Sequence, residues 1–509
     1  MHFSIAQDFD YNVSNWVVGT VVDCTALSVA MEGLGGFPSR IYVREEMKKT
    51  WSILVPGIIE RKKKWAIVGS PGVGKSILTV LICCHLAKDF NRSVFLARKL
   101  KGEEDNPTGE AGVFMYPGGK AVGHRGPLDF RKIYTSNYDS YSESRRLVVL
   151  DGWAQSELKT GDVASLFGGF DLLATSTQYI PKGQDNHYLV ALPSWNDGDL
   201  KELWKVFGRE VDDAAFDLQL YYSGGSAREL GRPIEELKDR INIAVASVPA
   251  ITCAALLAGY GGSQGTGFDG LRRCFLTNQD IESYTVTDKW EYTVCSAYAL
   301  KRLSGKAPFS VYLQSLTIAK NCGQSLYGSM FEALVHQLFQ TPNIAVTLHV
   351  RPLFAAPSDE FDRISLGKTF SCNCSGKNKS KADEHWSSWV MGMDRASYWQ
   401  PDYPEFPTID SVVCLPKEKT IIYLQVTVGK THGLDFEILT QIHGLVKMSL
   451  IDSTTWKFKY IAAGSTPTEA HNLKLTTEKR RNIQLEEVEA FRNSTGVDIL
   501  TGYVEYQIE

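Results

Sequence analysis

The chain has 509 residues, 43% of them hydrophobic and 22% charged, with a formal net charge of −4. This is the composition of a soluble globular protein of about two to four domains, and ten cysteines are too few for a disulfide scaffold, which favours a reducing compartment. The charge gives no global pull toward nucleic acid, although a local basic groove is compatible with it, and no apolar run reaches the ~18 residues of a membrane span.

In chain order, the start MHFSIAQDFDYN lacks the basic-then-apolar order of a secretory signal. Residues 1–60 read as a preface in which IYVREEM (Ile41 to Met47) is a strand passing into a helix with Trp51 and Leu54. RKKK (Arg61 to Lys64) is a solvated lead-in, an import signal or a nucleic-acid contact. Trp65 to Val68 is an apolar run suited to a buried parallel strand, and Ile77 to Ala87 suits a buried helix. Residues 61–240 then alternate strand and helix as an α/β domain does. Strands are expected at Arg92 to Leu100, Arg145 to Trp153 and Phe170 to Gln178. Gly102 to Gly126, rich in Gly and Pro, reads as a loop. An amphipathic helix is expected at Trp195 to Gly208. Residues 241–305 read as a helical lid or linker, broken by the Gly-rich Gly259 to Gly270, and a second α/β region fills 306–509. Thr369 to Lys381 has the composition of an exposed loop. Its Cys372 and Cys374, with His385 beyond, lack the second ligand pair of a zinc site. EKRR (Glu478 to Arg481) is an aid to nuclear entry, a DNA contact or a charged helix face.

The sharpest motif is GSPGVGKS (Gly69 to Ser76), of the form G-x-x-x-x-G-K-[ST]. Gly69, Gly72 and Gly74 permit the backbone turns that aim amide N–H groups at phosphate oxygens. Lys75 is the cation for the β and γ phosphates, and Ser76 offers its hydroxyl to Mg²⁺. A P-loop of this kind needs a second metal acid on another strand, and Asp151 ends the apolar LVVLD. The residues after it are Gly152 and Trp153 rather than a Glu that would polarise water, so slow hydrolysis is expected. Thr175, Ser176 and Thr177 end a third strand, where a hydroxyl can sense the γ-phosphate. Arg228, after Gly224-Gly225, is a cation for the phosphates or an ordinary surface residue. No guanine-reading NKxD motif is present, which favours ATP.

In the second half, Ser325 to Phe339 forms a helix whose apolar stripe is Leu326, Met330, Leu334 and Leu338. Glu332 and His336 fall on the opposite face. Asp410 stands at a strand start, and the stretch Thr420 to His432 opens with a strand that has Gln425 and Thr427 on one face, Lys430 and His432 following just beyond it. Glu on a helix, Asp on one strand and two polar residues spaced by one on the next is the order of PD-(D/E)xK nucleases. There Mg²⁺ would be held by Glu332, Asp410 and Gln425. The usual E-x-K is Q-x-T here, so Thr427 cannot supply the ammonium, and Lys430 or His432 would have to.

GSPGVGKS, RRLVVLDGW, YYSGGSARE, GSMFEALVH and FPTIDSVV…YLQVTVGKTH together resemble the Crinkler effectors and the related retrotransposon hot spot proteins, from about Ile41 to His432 or beyond. The resemblance implies an α/β chain: a P-loop NTPase domain, a helical segment and a restriction-endonuclease-like domain whose Asp and Q-x-T…H pattern maps to Asp410, Gln425, Thr427 and His432. It also implies ATP and Mg²⁺ as cofactors and DNA as partner, with host nuclear proteins beside it. The place of action is the nucleus of a host cell after secretion, and the outcome is DNA damage or cell death. The ubiquitin-like secretion header of Crinklers, with its L-x-L-F-L-A-K type motif, is not visible at this N-terminus. Self-association stays open. So do two rival functions: a nucleotide-switched binding module on a catalytically dead nuclease fold, and a signalling NTPase with protein partners only.

Overall fold

The computed structural model describes the chain except residues 1, 5–7, 61–63, 101, 103–105, 107, 130–145, 154–169, 177–178, 180–186, 209–212, 258–268, 305–312, 314–315, 318, 321–323, 342, 357–359, 368–370, 376–395, 402–407, 451, 478–480 and 509. RKKK up to Lys63, Thr177, His385 and Glu478 to Arg480 therefore lie outside the described residues. The chain divides into two compact units, Met1–Ala307 and Pro308–Glu509.

The first unit is built on an eight-stranded sheet. Its strands are β1 (His2–Ser4), β2 (Lys64–Val68), β3 (Ser93–Lys99), β4 (Glu110–Met115), β5 (Lys120–Arg125), β6 (Arg146–Asp151), β7 (Leu172–Thr175) and β8 (His187–Ala191). The spatial order is β1-β5-β4-β3-β6-β7-β2-β8. From β3 to β8 all neighbours are parallel, while β4, β5 and β1 extend the sheet antiparallel. β4 and β5 correct the expected Gly102 to Gly126 loop. Pro117-Gly118-Gly119 is the turn of a hairpin, the two glycines having φ +80° and +85°, and only the turn needed that chemistry.

Both faces of the parallel strands are covered, which is why they read as continuous apolar runs rather than alternating ones. On one face Ile67, Leu96 and Val149 pack with helix Lys75–Lys88, helix Glu45–Glu60 and Tyr11, Trp16 and Leu34. The preface thus shares the main core. On the other face Val68, Phe95 and Leu150 pack with Cys274 and Trp290. Those two belong to an antiparallel hairpin, Arg272–Leu276 with Trp290–Val294, in the stretch expected to be helical. A third, helical core joins Tyr42, Trp195, Leu203, Trp204, Phe216 and Leu230.

The second unit also holds an eight-stranded sheet: β9 (Ile344–Pro352), β10 (Asp362–Gly367), β11 (Ser371–Ser375), β12 (Ser397–Pro401), β13 (Ser411–Leu415), β14 (Thr420–Val426), β15 (Lys457–Gly464) and β16 (Val497–Ile508). The order is β10-β9-β16-β15-β14-β13-β12-β11. β11 corrects the loop expected over Thr369 to Lys381; its backbone pairs in parallel with β12. The pairings β12–β13 and β13–β14 are antiparallel, and β14–β15, joined through helix Phe436–Ser449, is parallel. The helix Phe436–Ser449 buries Leu439 and Ile442 against Tyr423, Tyr460 and Phe491. Among the described residues no helix is long and apolar enough to cross a membrane.

Candidate functional sites

The P-loop connects the carboxyl end of β2 to helix Lys75–Lys88. In a parallel sheet, ligands bind beyond the strands' carboxyl ends where the order reverses. The chain leaves β2 for β3, three places away, and returns through β6 and β7 to β8 on the far side of β2, so the loop stands at that switch point. Gly74 caps the helix at φ +104°, and Gly72 has φ +80°. The residues after Gly74 turn helical N–H groups and the positive dipole end toward the loop.

The motif glycines answer to their neighbours as well as to phosphate chemistry. A Cβ on Gly69 would lie 2.4 Å from the Leu192 carbonyl oxygen, and one on Gly72 would lie 2.0 Å from Ser226 Oγ and 3.1 Å from Arg228 Cβ. Gly74 has open space, so its requirement is the left-handed backbone alone. The close approach at Gly72 brings the Ser226–Arg228 turn onto the P-loop, and Arg228 lines the same cavity as Lys75.

Lys75 Nζ donates to the carbonyls of Gly69 and Ser70 at 2.6 and 2.9 Å. Ser76 Oγ donates to Asp151 Oδ1 at 2.8 Å. Asp151 is 3% exposed, and its Oδ2 accepts from Arg98 Nε at 3.0 Å. Ser76 and Asp151, distant in sequence, thus form an oxygen pair of the hard type that Mg²⁺ takes. The cavity over them has a volume of about 1130 Å³. Thr175 ends β7 beside both strands, in register with Val68. Its hydroxyl donates to the Trp153 carbonyl at 3.1 Å and so anchors the turn after Asp151; Thr175 and Ser176 both line the cavity. Gly152 has φ +81°, and a Cβ there would lie 2.5 Å from the Lys99 carbonyl oxygen, a position with no room for a Glu.

Sequence reasoning missed three neighbours of this site. Arg98 was visible only as the end of a strand. Arg44, buried, donates to the Val73 carbonyl at 2.8 Å and stacks over Trp195. Burial pulls its pKa below the usual guanidinium value, with Glu46 and Asp199 acting the other way. Cys274 N donates to Ser70 Oγ at 2.9 Å, docking the hairpin on the P-loop. Each is a tertiary contact between segments far apart in the chain, and no local pattern announces it.

In the second unit Asp410 and Gln425 face each other across the β13–β14 hairpin. Asp410 N donates to the Leu424 carbonyl at 2.9 Å. Asp410 Oδ2 accepts from Gln425 Nε2 at 2.6 Å and from the Val426 N–H at 2.7 Å. Two residues upstream, β-branched Thr408 has φ +71°, strain that costs about 1–3 kcal/mol and clusters at functional sites. The Tyr460 hydroxyl is buried with no hydrogen-bond partner among the described residues; burial, then the Asp410 charge, raise its pKa.

Of the other expected members, Glu332 is on helix Gln324–Gln340, and Thr427, Lys430 and His432 follow β14. Glu332 lies 3.5 Å from His336, and its charge acts on His432, whose pKa burial pulls down to about 4 while Glu332 opposes the shift. His336 is 5% exposed and bonds the Tyr398 hydroxyl. Met330, Leu334 and Leu338 of the opposite stripe are buried too, because the helix is covered on both sides. Thr427 accepts from Gly429 N at 3.1 Å. Lys430 is exposed, and His432 enters a short strand, Thr431–Gly433, paired with Lys474–Thr476. Among the described residues no three His, Cys, Asp or Glu side chains converge on a metal position. Asp410 and Gln425 are in direct contact, and Glu332 acts electrostatically on His432.

No family model matches the chain, and no curated protein does. Among solved structures, the RuvB Holliday junction branch migration motor of Thermotoga maritima is similar at 16% identity and TM-score 0.23, covering 40% of this chain and 62% of RuvB. A signal transduction ATPase with numerous domains and a tetratricopeptide repeat sensor, from Pyrococcus horikoshii, is similar at 14% identity and TM-score 0.20, covering 55% of this chain and 46% of that one. The chain thus spans less than two thirds of either. Likeness this slight carries no weight, and the nucleotide site rests on the residues of the loop and its strands.

Proposed function

We propose that this chain is an ATP- and Mg²⁺-binding P-loop NTPase, and that its second unit acts on DNA as a restriction-endonuclease-like domain of a Crinkler-type effector in a host nucleus. The carrying observation is the Ser76–Asp151 pair, 2.8 Å apart at the switch point of a parallel sheet, next to Lys75 at a helix N-terminus. Lys75, Ser76 and Asp151 would hold the nucleotide and its cation, which neutralises phosphate charge when bound. Arg228, brought to the loop by Gly72, adds a second cation from outside the loop. In the second unit the reading is supported by Asp410 at the head of a strained strand start, paired with Gln425 on the next strand.

The test is nucleotide binding and DNA cleavage by the purified chain, its Lys75→Ala variant and its Asp410→Ala variant, with and without ATP and Mg²⁺. Losing the Lys75 cation removes charge-assisted hydrogen bonds of about 1.5–3 kcal/mol, so triphosphate affinity should fall roughly 10–100-fold. Parent protein that never cuts DNA under any of these conditions would sink the nuclease half; parent protein that binds no nucleotide would sink the other.

A second reading is favoured by the geometry at Asp410. Gln425 presents its amide nitrogen to Asp410, and Lys430 is exposed. On this reading the second unit binds DNA without cutting it. Binding would then be independent of metal and would weaken steeply as salt rises, because phosphate contacts release counterions.

A further inference from the structure

Arg98, near the end of β3, is 5% exposed. Its Nε donates to Asp151 Oδ2 at 3.0 Å, while Nη1 donates to the carbonyls of Leu34 at 2.9 Å and Gly36 at 3.2 Å. Gly35, between those carbonyls, has φ +98°, and a Cβ there would lie 2.7 Å from Arg98 Nη1 and 2.5 Å from Leu100. Only glycine lets this turn close over the guanidinium. A buried ion pair repays its desolvation only when further hydrogen bonds satisfy its donors, and the two carbonyls take both Nη1 protons. The other Asp151 oxygen, Oδ1, is left to Ser76. Trp153 Nε1 donates to the Ala97 carbonyl at 3.2 Å, holding the turn after Asp151 to the same strand as Arg98.

Resting on the reading of the P-loop as a Mg²⁺-nucleotide site, we propose that Arg98 is a positioning residue for the divalent cation. It holds the Asp151 carboxylate with Oδ1 toward Ser76 and ties that carboxylate to the Leu34–Gly36 turn of the N-terminal segment. Arg98 acts through Asp151, so its removal should change the response to Mg²⁺ and leave Mg²⁺-free nucleotide binding alone.

The experiment measures binding of a fluorescent ATP analogue, first in EDTA and then across a Mg²⁺ titration, for the parent, Arg98→Met, Arg98→Lys and Lys75→Ala. Thermal unfolding checks that each is folded. In Arg98→Met the affinity in EDTA should stay within about twofold of the parent, while the Mg²⁺ needed for half of the effect rises about tenfold, the worth of one charge-assisted hydrogen bond. Arg98→Lys keeps the cation but cannot hold both the carboxylate and two carbonyls, so it should fall between. An unchanged Mg²⁺ curve overturns the proposal, as does an equal loss of affinity with and without Mg²⁺, which marks a merely structural role. If Arg98→Met does not fold, Arg98→Lys decides on the same criteria. A folded parent that binds no nucleotide, indistinguishable from Lys75→Ala, shows instead that the P-loop reading itself is wrong.

Discussion

The side-chain amide of Gln425 and the backbone N–H of Val426 share one acceptor, Oδ2 of Asp410, at 2.6 and 2.7 Å. A carboxylate at position 425 would replace a donor with a like charge. Gln425→Glu should therefore destabilise the second unit by roughly 1–3 kcal/mol in EDTA, the penalty of a lost partner at a part-buried charge. It should also create a pair of carboxylates that Mg²⁺ or Mn²⁺ stabilises. Thermal unfolding with and without the cation checks this, and a variant whose melting temperature ignores both metals would show that the hairpin cannot host an ion.

Gly72 has φ +80°, and its absent Cβ leaves room for Ser226 Oγ and Arg228. Gly72→Ala should push that turn off the P-loop. We expect a loss of about 1–2 kcal/mol in stability from the left-handed backbone alone, together with weaker nucleotide binding. Ser226→Gly, which removes the clashing oxygen, should recover part of the binding in Gly72→Ala. Binding in Gly72→Ala equal to the parent would refute the contact.

The residue after Asp151 offers a test of why hydrolysis is expected to be slow. Gly152 has φ +81° and no room beside the Lys99 carbonyl. Gly152→Glu should not raise ATP turnover, and it should lower stability by more than about 1 kcal/mol, since a side chain there is both strained and crowded. A faster ATPase in this variant would mean that the loop can rearrange to accept a catalytic acid.

His443 carries a pH signature. Its Nδ1 lies 3.0 Å from the Tyr423 hydroxyl and its Nε2 3.1 Å from the Thr495 carbonyl. A neutral ring protonated on Nε2 accepts from the first and donates to the second. Burial, and then the Lys447 charge, pull the pKa down to about 4 from its ordinary 6.5. Below that ordinary value the unfolded chain takes up a proton that the folded chain refuses. The contribution to stability is thus full above about pH 6.5 and lost as pH falls toward about 4. His432, also lowered to about 4 by burial, adds with the same sign. The urea midpoint of the second unit's transition should be lower at pH 5 than at pH 7.5, and His443→Gln should shrink the difference. Equal midpoints in the parent at both pH values would contradict the buried neutral ring.

Much of the nucleotide site was legible from the chain alone. GSPGVGKS is contiguous, so its chemistry is local: backbone turns, one cation and one hydroxyl, flanked by an apolar strand and helix. Asp151 could be found because a strand-ending acid after LVVL has one job beside such a loop. Asp410 and Gln425 are grouped in the sequence only through the order of PD-(D/E)xK nucleases; their direct contact comes from the β13–β14 hairpin. The 3.6-residue period of the Gln324–Gln340 helix does not show what covers His336, since its partner Tyr398 comes from a strand some sixty positions on.

Composition and local pattern determined most of the elements and the P-loop, because those depend on neighbours within one turn or one strand. The tertiary structure alone decided what surrounds them. A strand-ending arginine reads the same whether it meets water or a carboxylate, so only the sheet order showed Arg98 against Asp151. Only packing showed that Gly72 makes room for the Ser226–Arg228 turn and that the Arg272–Leu276 hairpin reaches Ser70. Those are contacts between segments far apart along the chain, set by the geometry of two closed cores.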